Sequence, residues 1–181
     1  MLVPPVVDGV AGINILLGSK SDDFEPPMLC NLNDTRPGHK LIEGVFDTGA
    51  VHSCAPPGVF PGTMRPSAMS RSGKMYRGPD SSAIPNLGQQ DVNFVTDEGM
   101  KAGLTFQIAN IERPLIAGTH ITAAGNVVTL RADGGEITNI KSGRKIALHR
   151  RGGDEGGVYT FRMWIPTSEE GSTSPFQRPG A

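Results

Sequence analysis

One carboxylate in this chain is set apart by its neighbours. Residues 45–50 read Val-Phe-Asp-Thr-Gly-Ala, so an apolar pair leads into Asp47 and then into Thr48 and Gly49. Val and Thr favour a pleated strand, and glycine permits a turn or a close backbone approach that a side chain would block. The pattern predicts a strand that ends in a tight turn with a carboxylate at its tip.

A carboxylate in this setting can hydrolyse peptide bonds if a second carboxylate faces it. Two carboxylates about 3 Å apart cannot both ionise, so one keeps its proton as an acid while the other acts as a base on water. The chain has one Asp-Thr-Gly, because the Asp-Gly pairs at Asp8 and Asp133 lack a Thr or Ser between the two residues. One chain therefore supplies one carboxylate, and a two-fold symmetric homodimer has to supply the second.

The Asp-Thr-Gly-Ala segment after an apolar strand resembles the active-site loop of the retropepsin-like aspartic proteases, the single-lobe type found in retroviral and retrotransposon-type polyproteins. Two later segments extend the resemblance: residues 70–76 read Ser-Arg-Ser-Gly-Lys-Met-Tyr and residues 84–88 read Ile-Pro-Asn-Leu-Gly. They are typical of a long hairpin whose tip, residues 77–82, is rich in turn formers. The resemblance covers about residues 41–165 and implies that this hairpin is the flap, which closes over the substrate and excludes water.

The resemblance also implies roles for individual residues. Asp47, Thr48 and Gly49 are the expected catalytic residues, with Thr48 hydrogen-bonding across the dimer and Gly49 letting the backbone come close to substrate or water. The expected substrate-binding residues are Ala50, Arg77, Gly78, Pro79, Asp80 and Ser81. The family carries an apolar pair and a glycine packed beneath the active-site loop. Leu115, Ile116 and Gly118 approximate this pattern, with Ala117 between them.

The remaining pattern predicts an all-β fold with one short helix at residues 119–124, and the resemblance implies a closed barrel-like retropepsin lobe with a flap hairpin. Alternation of apolar and polar residues indicates half-buried strands. The predicted strands comprise residues 10–17 (an edge strand), 39–50, 90–94, 104–109, 126–131, 136–140, 145–149 and 158–165. The predicted organisation is a weakly patterned linker at residues 1–38, the protease domain at 39–166 and a disordered tail at 167–181.

The strand at residues 158–165 has the clearest alternation. Tyr159, Phe161, Met163 and Ile165 are predicted to share one face, and Thr160 and Arg162 the other. Chain termini build the sheet between subunits in the resembling family, so the resemblance makes this strand a candidate dimer element.

Composition excludes several other classes of protein. The net charge of −1 gives no general electrostatic case for binding nucleic acid or acidic membranes. No stretch approaches the ~20 apolar residues of a membrane span, and a signal peptide is not indicated, so we expect an intracellular, cytoplasmic protein. Cys30, Cys54, His39 and His52 lack the paired spacing of a structural zinc site, and the expected chemistry needs no metal and no cofactor. His52 and Cys54 likewise do not make a nucleophilic pair by spacing alone.

Two alternatives to an active protease stay open at the sequence level. The Pro-Asp-Ser at residues 79–81 departs from the Gly-rich flap tips of the family, and Ala117 interrupts the apolar-Gly pattern. A catalytically silent module that dimerises or binds peptides would tolerate both. The basic residues between Lys141 and Arg151 suggest a nucleic-acid-associated polyprotein fragment, although a solvated hairpin face is favoured because no aromatic residues interleave for stacking.

Overall fold

The computed structural model of the chain describes residues 14–15, 35–78, 81–152 and 157–167. These residues form eleven strands and two short helices. The strands are β1 (Asn14–Ile15), β2 (His39–Asp47), β3 (Cys54–Ala55), β4 (Met75–Arg77), β5 (Ala83–Val95), β6 (Lys101–Ala109), β7 (Leu115–Ala117), β8 (Asn126–Arg131), β9 (Gly134–Asn139), β10 (Lys145–Arg151) and β11 (Val158–Pro166). The helices are α1 (Ala68–Arg71) and α2 (Gly118–Ala123).

The strands form one mixed sheet that curls into a partial ring. Its order is β4-β5-β6-β3-β7-β2-β11-β10-β9-β8, and β1 pairs with β6. A further pairing, of Trp164 in β11 with Val95 in β5, brings the two sides of the ring together. Most neighbours are antiparallel, but β2 runs parallel to β7 and β3 runs parallel to β6. The predicted all-β class is confirmed for the described part of the chain.

The core fills the inside of this ring, and strand alternation builds it. In β6 every second residue is buried, so Leu104, Phe106 and Ile108 all point inward, as the sequence pattern predicts. Phe106 and Phe161 are fully buried, and burying an aromatic side chain contributes about 1.5–3 kcal/mol relative to leaving it exposed. The other large buried apolar side chains are Ile42, Phe46, Phe60, Val92, Phe94, Ile116, Ile121, Ile137, Ile146, Leu148, Met163, Trp164 and Ile165.

The long hairpin is present, with two differences from the prediction. The second strand does not stop at residue 88 but continues as the single strand β5 to Val95, with a register shift at Gly88. Gly88 has φ +153°, and a Cβ there would lie 2.7 Å from the carbonyl oxygen of Arg65. The segment at Arg65 that pairs with β5 therefore leaves room only for glycine at position 88. Helix α1 precedes β4 and is capped by Ser67, which accepts from the N–H of Ser70.

Strand β11 is more enclosed than its alternation predicts. Both of its faces are buried, including Thr160 and Arg162, because the turn between β5 and β6 covers the polar face. Its two edges are occupied within the chain, by β2 along residues 159–166 and by β10 along residues 158–160. β11 therefore lies inside the sheet of one chain, and its expected part in a sheet between subunits stays a prediction.

Some predictions fall partly or wholly outside the described residues. Of the predicted linker at residues 1–38, the structure describes 35–38 and the two residues of β1, which join the sheet through Gly103 and Ala102. The predicted tail lies outside the described residues beyond Thr167, as do Pro79 and Asp80 at the flap tip. Neither helix in the described part of the chain has the length and apolar character that crossing a membrane takes.

Candidate active site

Strand β2 delivers Asp47 to the surface of the partial ring. Ile42, Gly44 and Phe46 are its buried positions, so Asp47 and its alternate neighbours point away from the core. The last residues of β2 pair in parallel with β7, with Phe46 opposite Ile116 and Asp47 opposite Ala117. Asp47 therefore lies at the end of a strand that is held in place by pairing with the largely buried strand β7.

The turn after Asp47 folds back onto the carboxylate. The N–H of Gly49 donates to Oδ1 of Asp47 at 2.7 Å. A Cβ on residue 49 would lie 3.3 Å from the same oxygen, so a side chain would crowd the carboxylate. Thr48 and Gly49 are exposed and Ala50 is partly exposed, which leaves this face of the loop open to a ligand or a second chain.

Gly118 lies directly beneath the loop, as the sequence predicts. A Cβ at this position would meet Phe46 Cζ at 2.8 Å and Thr48 Cα at 3.4 Å. The buried pair before it is Ile116 and Ala117, both fully buried, while Leu115 is partly exposed. Ala117 is therefore packed beneath the loop together with Ile116 and Gly118, and it lies opposite Asp47 in the parallel pairing of β2 with β7.

Ser53 anchors the far end of the loop, and sequence reasoning missed it. Its buried hydroxyl accepts from the N–H of Ala117 at 3.1 Å, and its carbonyl oxygen accepts from the N–H of Gln107 at 2.8 Å. The loop from Asp47 to Ser53 is thus tied at both ends to β7. A serine six residues after the carboxylate gave no signal, because serine is an ordinary surface residue in loops.

The hairpin of β4 and the start of β5 is the one that the sequence resemblance predicts to be a flap, and it is called the flap hairpin for that reason. Tyr76 pairs with Ile84 and Arg77 with Ala83. The tip turns through Gly78, whose N–H donates to Ser82 O at 2.9 Å, and Ser81 adopts φ +66°. Of the predicted substrate-binding residues, Arg77, Gly78 and Ser81 lie on this hairpin, whereas Ala50 lies on the Asp47 loop.

An aromatic cluster joins the flap hairpin to the Asp47 loop. The ring of His52 packs edge-on against Tyr76 of β4 at 6.1 Å between centroids and against His120 of α2 at 5.3 Å. His52 Nδ1 is buried and has no hydrogen-bond partner among the described residues. Burial, followed by the charges of His120 and Lys74, holds the pKa of His52 below its usual value. The flap and the loop thus meet at one imidazole that resists protonation.

Cys54 has the properties of a packing residue rather than a nucleophile. Its thiol donates to the main-chain carbonyl of His52 at 3.4 Å, not to the imidazole. Burial raises the pKa of the Cys54 thiol to about 11, and a thiol that keeps its proton is a poor nucleophile and a poor metal ligand. The described residues contain no group of three or more His, Cys, Asp or Glu side chains that could hold a metal ion.

The basic run is partly neutralised by carboxylates. Lys145 Nζ lies 3.0 Å from Glu136 Oε1, and His149 Nε2 lies 2.8 Å from Asp97 Oδ2. Arg151 forms two hydrogen bonds with Glu43. The ion pairs of Lys145 with Glu136 and of Arg151 with Glu43 weaken the electrostatic attraction of this face for phosphates.

A shallow cavity opens beside the Asp47 loop. Its volume is about 260 Å³, and Phe46 and Thr48, the two residues that flank Asp47, contribute to its wall. The remaining wall is formed by Gly118, Thr119, Thr122 and Val128. Apolar surface and threonine hydroxyls therefore adjoin the candidate catalytic loop on the side of α2 and β8.

Comparison with known proteins adds no relative from which function could be transferred. The chain matches no family model, no curated protein and no solved structure. Any assignment therefore has to come from the residues and the geometry of the Asp47 loop.

Proposed function

We propose that this protein is an aspartic endopeptidase of the retropepsin-like type that acts as a homodimer. The observation that carries the proposal is the position of Asp47. Asp47 is the last residue of β2, which pairs in parallel with β7, and its carboxylate accepts a hydrogen bond from the N–H of Gly49. The loop that follows Asp47 contacts the flap hairpin through the rings of His52 and Tyr76. A partly exposed carboxylate, a glycine packed beneath its loop and a hairpin in contact with that loop support peptide hydrolysis by a symmetric carboxylate pair.

The mechanism follows from two Asp47 carboxylates brought face to face. One accepts a proton from a bound water while the other, still protonated, donates its proton to the carbonyl oxygen of the scissile bond. The water oxygen bonds to the carbonyl carbon and gives a gem-diol. The C–N bond then breaks as the first carboxyl gives the proton it took from water to the amine nitrogen, and a hydroxyl of the gem-diol returns a proton to the second carboxylate. The substrate is an extended peptide paired in strand fashion beneath the flap hairpin, and a retroelement polyprotein is the proposed source of such peptides.

Cleavage of a peptide library at acidic and neutral pH tests the proposal. The wild-type protein should cleave, and Asp47→Asn should lose at least about 1,000-fold in rate because the amide cannot take a proton from water. Glu112→Gln, an exposed carboxylate in the loop before β7, is the matched control and should retain activity. Equal rates for wild type and Asp47→Asn would reject the proposal.

A further inference from the structure

The long strand β5 changes partners at Asn86. Up to Pro85 it pairs with β4 in the flap hairpin, and from Asn86 onward it pairs with β6 in the partial ring. The register with β6 shifts between Asn86 and Gly88, so Leu87 is an extra residue in the strand. An irregularity of this kind bends the strand and locally interrupts its ladder of hydrogen bonds. The flap hairpin therefore leaves the partial ring at Asn86.

The side chain of Asn86 is buried at this junction, with 7% exposure, and uses its full hydrogen-bonding capacity. Its Nδ2 donates to the hydroxyl of Tyr76 at 3.2 Å and to Oε1 of Gln107 at 2.8 Å. Its Oδ1 accepts from the N–H of Gly88 at 2.9 Å and from the hydroxyl of Ser67 at 3.4 Å. A side-chain amide has two donor hydrogens and two acceptor positions, so these four bonds satisfy it completely.

The four partners of this amide lie on four different parts of the fold. Tyr76 belongs to β4, Gln107 belongs to β6, and Gly88 lies in β5 just beyond the register shift. Ser67 caps α1, the helix that precedes β4. One buried side chain therefore ties the flap hairpin and α1 to β6. Because a buried polar atom that loses its partner is costly, the four bonds together favour a single arrangement of these parts.

Two of the four partners continue to the candidate catalytic loop. The Tyr76 ring packs edge-on against the ring of His52, with 6.1 Å between centroids. The main-chain N–H of Gln107 donates to the carbonyl oxygen of Ser53 at 2.8 Å. Asn86 is thus connected to His52 through β4 and to Ser53 through β6. The hairpin and the loop are held to each other at two neighbouring residues of the loop, and both connections pass through one amide.

We propose that Asn86 is a positioning residue that sets the distance between the flap hairpin and the Asp47 loop. The space between them is where the proposed function places the peptide, so the effect of Asn86 on cleavage rests on that function. The control of the hairpin by Asn86 does not, because it is a property of the fold. Asn86 acts only through Tyr76 and Gln107, and its loss frees the hairpin while Asp47 keeps its own contacts.

The first experiment follows the position of the hairpin through the thiol of Cys54 and needs no activity. This thiol is buried and lies close to the Tyr76 hydroxyl. In the full chain with Cys30→Ser, Asn86→Ala should raise the rate of Cys54 modification by methyl methanethiosulfonate at least about tenfold. Asn93→Ala, at an exposed position of the same strand, is the matched control and should stay within about twofold of wild type. An unchanged rate in Asn86→Ala would overturn the proposal.

Two further variants separate movement of the hairpin from a general loss of stability. Ile146→Ala removes a buried side chain of β10, which pairs with β9 and β11, and should leave the Cys54 rate within about twofold of wild type. A rate as high as that of Asn86→Ala would overturn the proposal. Tyr76→Phe removes the hydroxyl but keeps the aromatic ring, and should raise the rate at least about fivefold. It decides the question if Asn86→Ala does not fold, since a wild-type rate in Tyr76→Phe would also overturn the proposal.

Peptide cleavage supplies a readout that a merely structural role would not change. Weaker folding lowers the number of active molecules, which reduces kcat and leaves KM as it is. A hairpin that can move away from the loop holds the peptide less tightly, so Asn86→Ala should raise KM at least about tenfold and change kcat less than about threefold. A lower kcat at unchanged KM would reject the positioning role.

The two proposals fail in different ways. A wild-type protein that cleaves no peptide, with Cys54 modification that is faster in Asn86→Ala, would reject the protease and support the control of the hairpin by Asn86. Conversely, Asp47-dependent cleavage with wild-type KM and wild-type Cys54 modification in Asn86→Ala would support the protease and reject the positioning role.

Discussion

His52 connects the flap hairpin, the Asp47 loop and α2 through its ring contacts with Tyr76 and His120. The folded protein holds the pKa of His52 below its usual value, so the unfolded chain binds the proton more readily. The stability contribution of neutral His52 is therefore complete well above pH 6.5 and is lost as the pH falls from there towards the lowered pKa. Acid should loosen the contact between flap and loop.

His52→Gln should weaken the pH dependence of stability. The variant should lose less of its unfolding free energy than wild type between pH 7 and pH 5, because the glutamine at position 52 takes up no proton on unfolding. Urea unfolding at a series of pH values measures this difference. Val51→Gln, an exposed neighbour without an ionisable group, should keep the wild-type pH dependence. Parallel pH profiles for wild type and His52→Gln would contradict the account.

The catalytic loop depends on the fit between two elements, the end of β2 and the start of α2. Gly118→Ala would place a methyl group 2.8 Å from Phe46 Cζ and 3.4 Å from Thr48 Cα, so the Phe46 ring or the loop at Thr48 must shift. We expect a loss of about 1–3 kcal/mol in stability from overpacking, with cleavage reduced further because Thr48 is displaced. Thermal unfolding and peptide cleavage measure the two effects.

Ala123→Ser is the control for this prediction. It adds one atom at an exposed position of the same helix, and both properties should stay near wild type. A fully active and equally stable Gly118→Ala variant would show that the loop does not rest on α2.

Sequence patterns were informative where an element is defined by its own residues. Alternation located β6 with Leu104, Phe106 and Ile108 inward, and turn formers located the β8–β9 hairpin. Helix α1 was missed because its cap uses Ser67 and Ser70 where a Glu or Gln would give a recognisable signal. The resemblance placed Gly118 beneath the loop, but Ser53 was not predicted, since its role exists only through contacts with segments distant in the sequence.

Contacts between distant segments also explain why both faces of β11 are buried. Its alternation placed Thr160 and Arg162 on one face, and the turn between β5 and β6 covers that face. Asp97 in this turn accepts from Trp164 Nε1 at 2.7 Å and from Arg162 Nη1 at 3.1 Å. The spacing of polar residues along a strand cannot predict a buried ion pair whose partner lies more than sixty residues away in the sequence.

In the molecule as a whole, Asp97 stabilises the contact between β11 and β5 that brings the two sides of the partial ring together. The backbone pairing of Trp164 with Val95 joins β11 to β5 there, and Asp97 links the same strands through side chains and also holds His149 of β10. Burial by itself would raise the pKa of Asp97, but the hydrogen bonds from His149 and Trp164 and the charge of Arg162 keep it below its usual value. This carboxylate therefore contributes stability above pH 3.8, and the contribution is lost as the pH falls through the lowered pKa.

Asp97→Asn should lower the free energy of unfolding by about 3 kcal/mol, because it removes the carboxylate that pairs with Arg162 at 3.1 Å, and the Arg162 side chain is only 9% exposed. Urea unfolding at neutral pH measures this loss, and the gap between wild type and variant should narrow as the pH falls below 3.8 towards the lowered pKa of Asp97. Asp91→Asn removes an ion pair with Arg65 whose side chains are 51% and 57% exposed, so this control should cost less than about 1 kcal/mol. Similar losses for the two variants would mean that the ring is held by its backbone pairing and core alone, without help from Asp97.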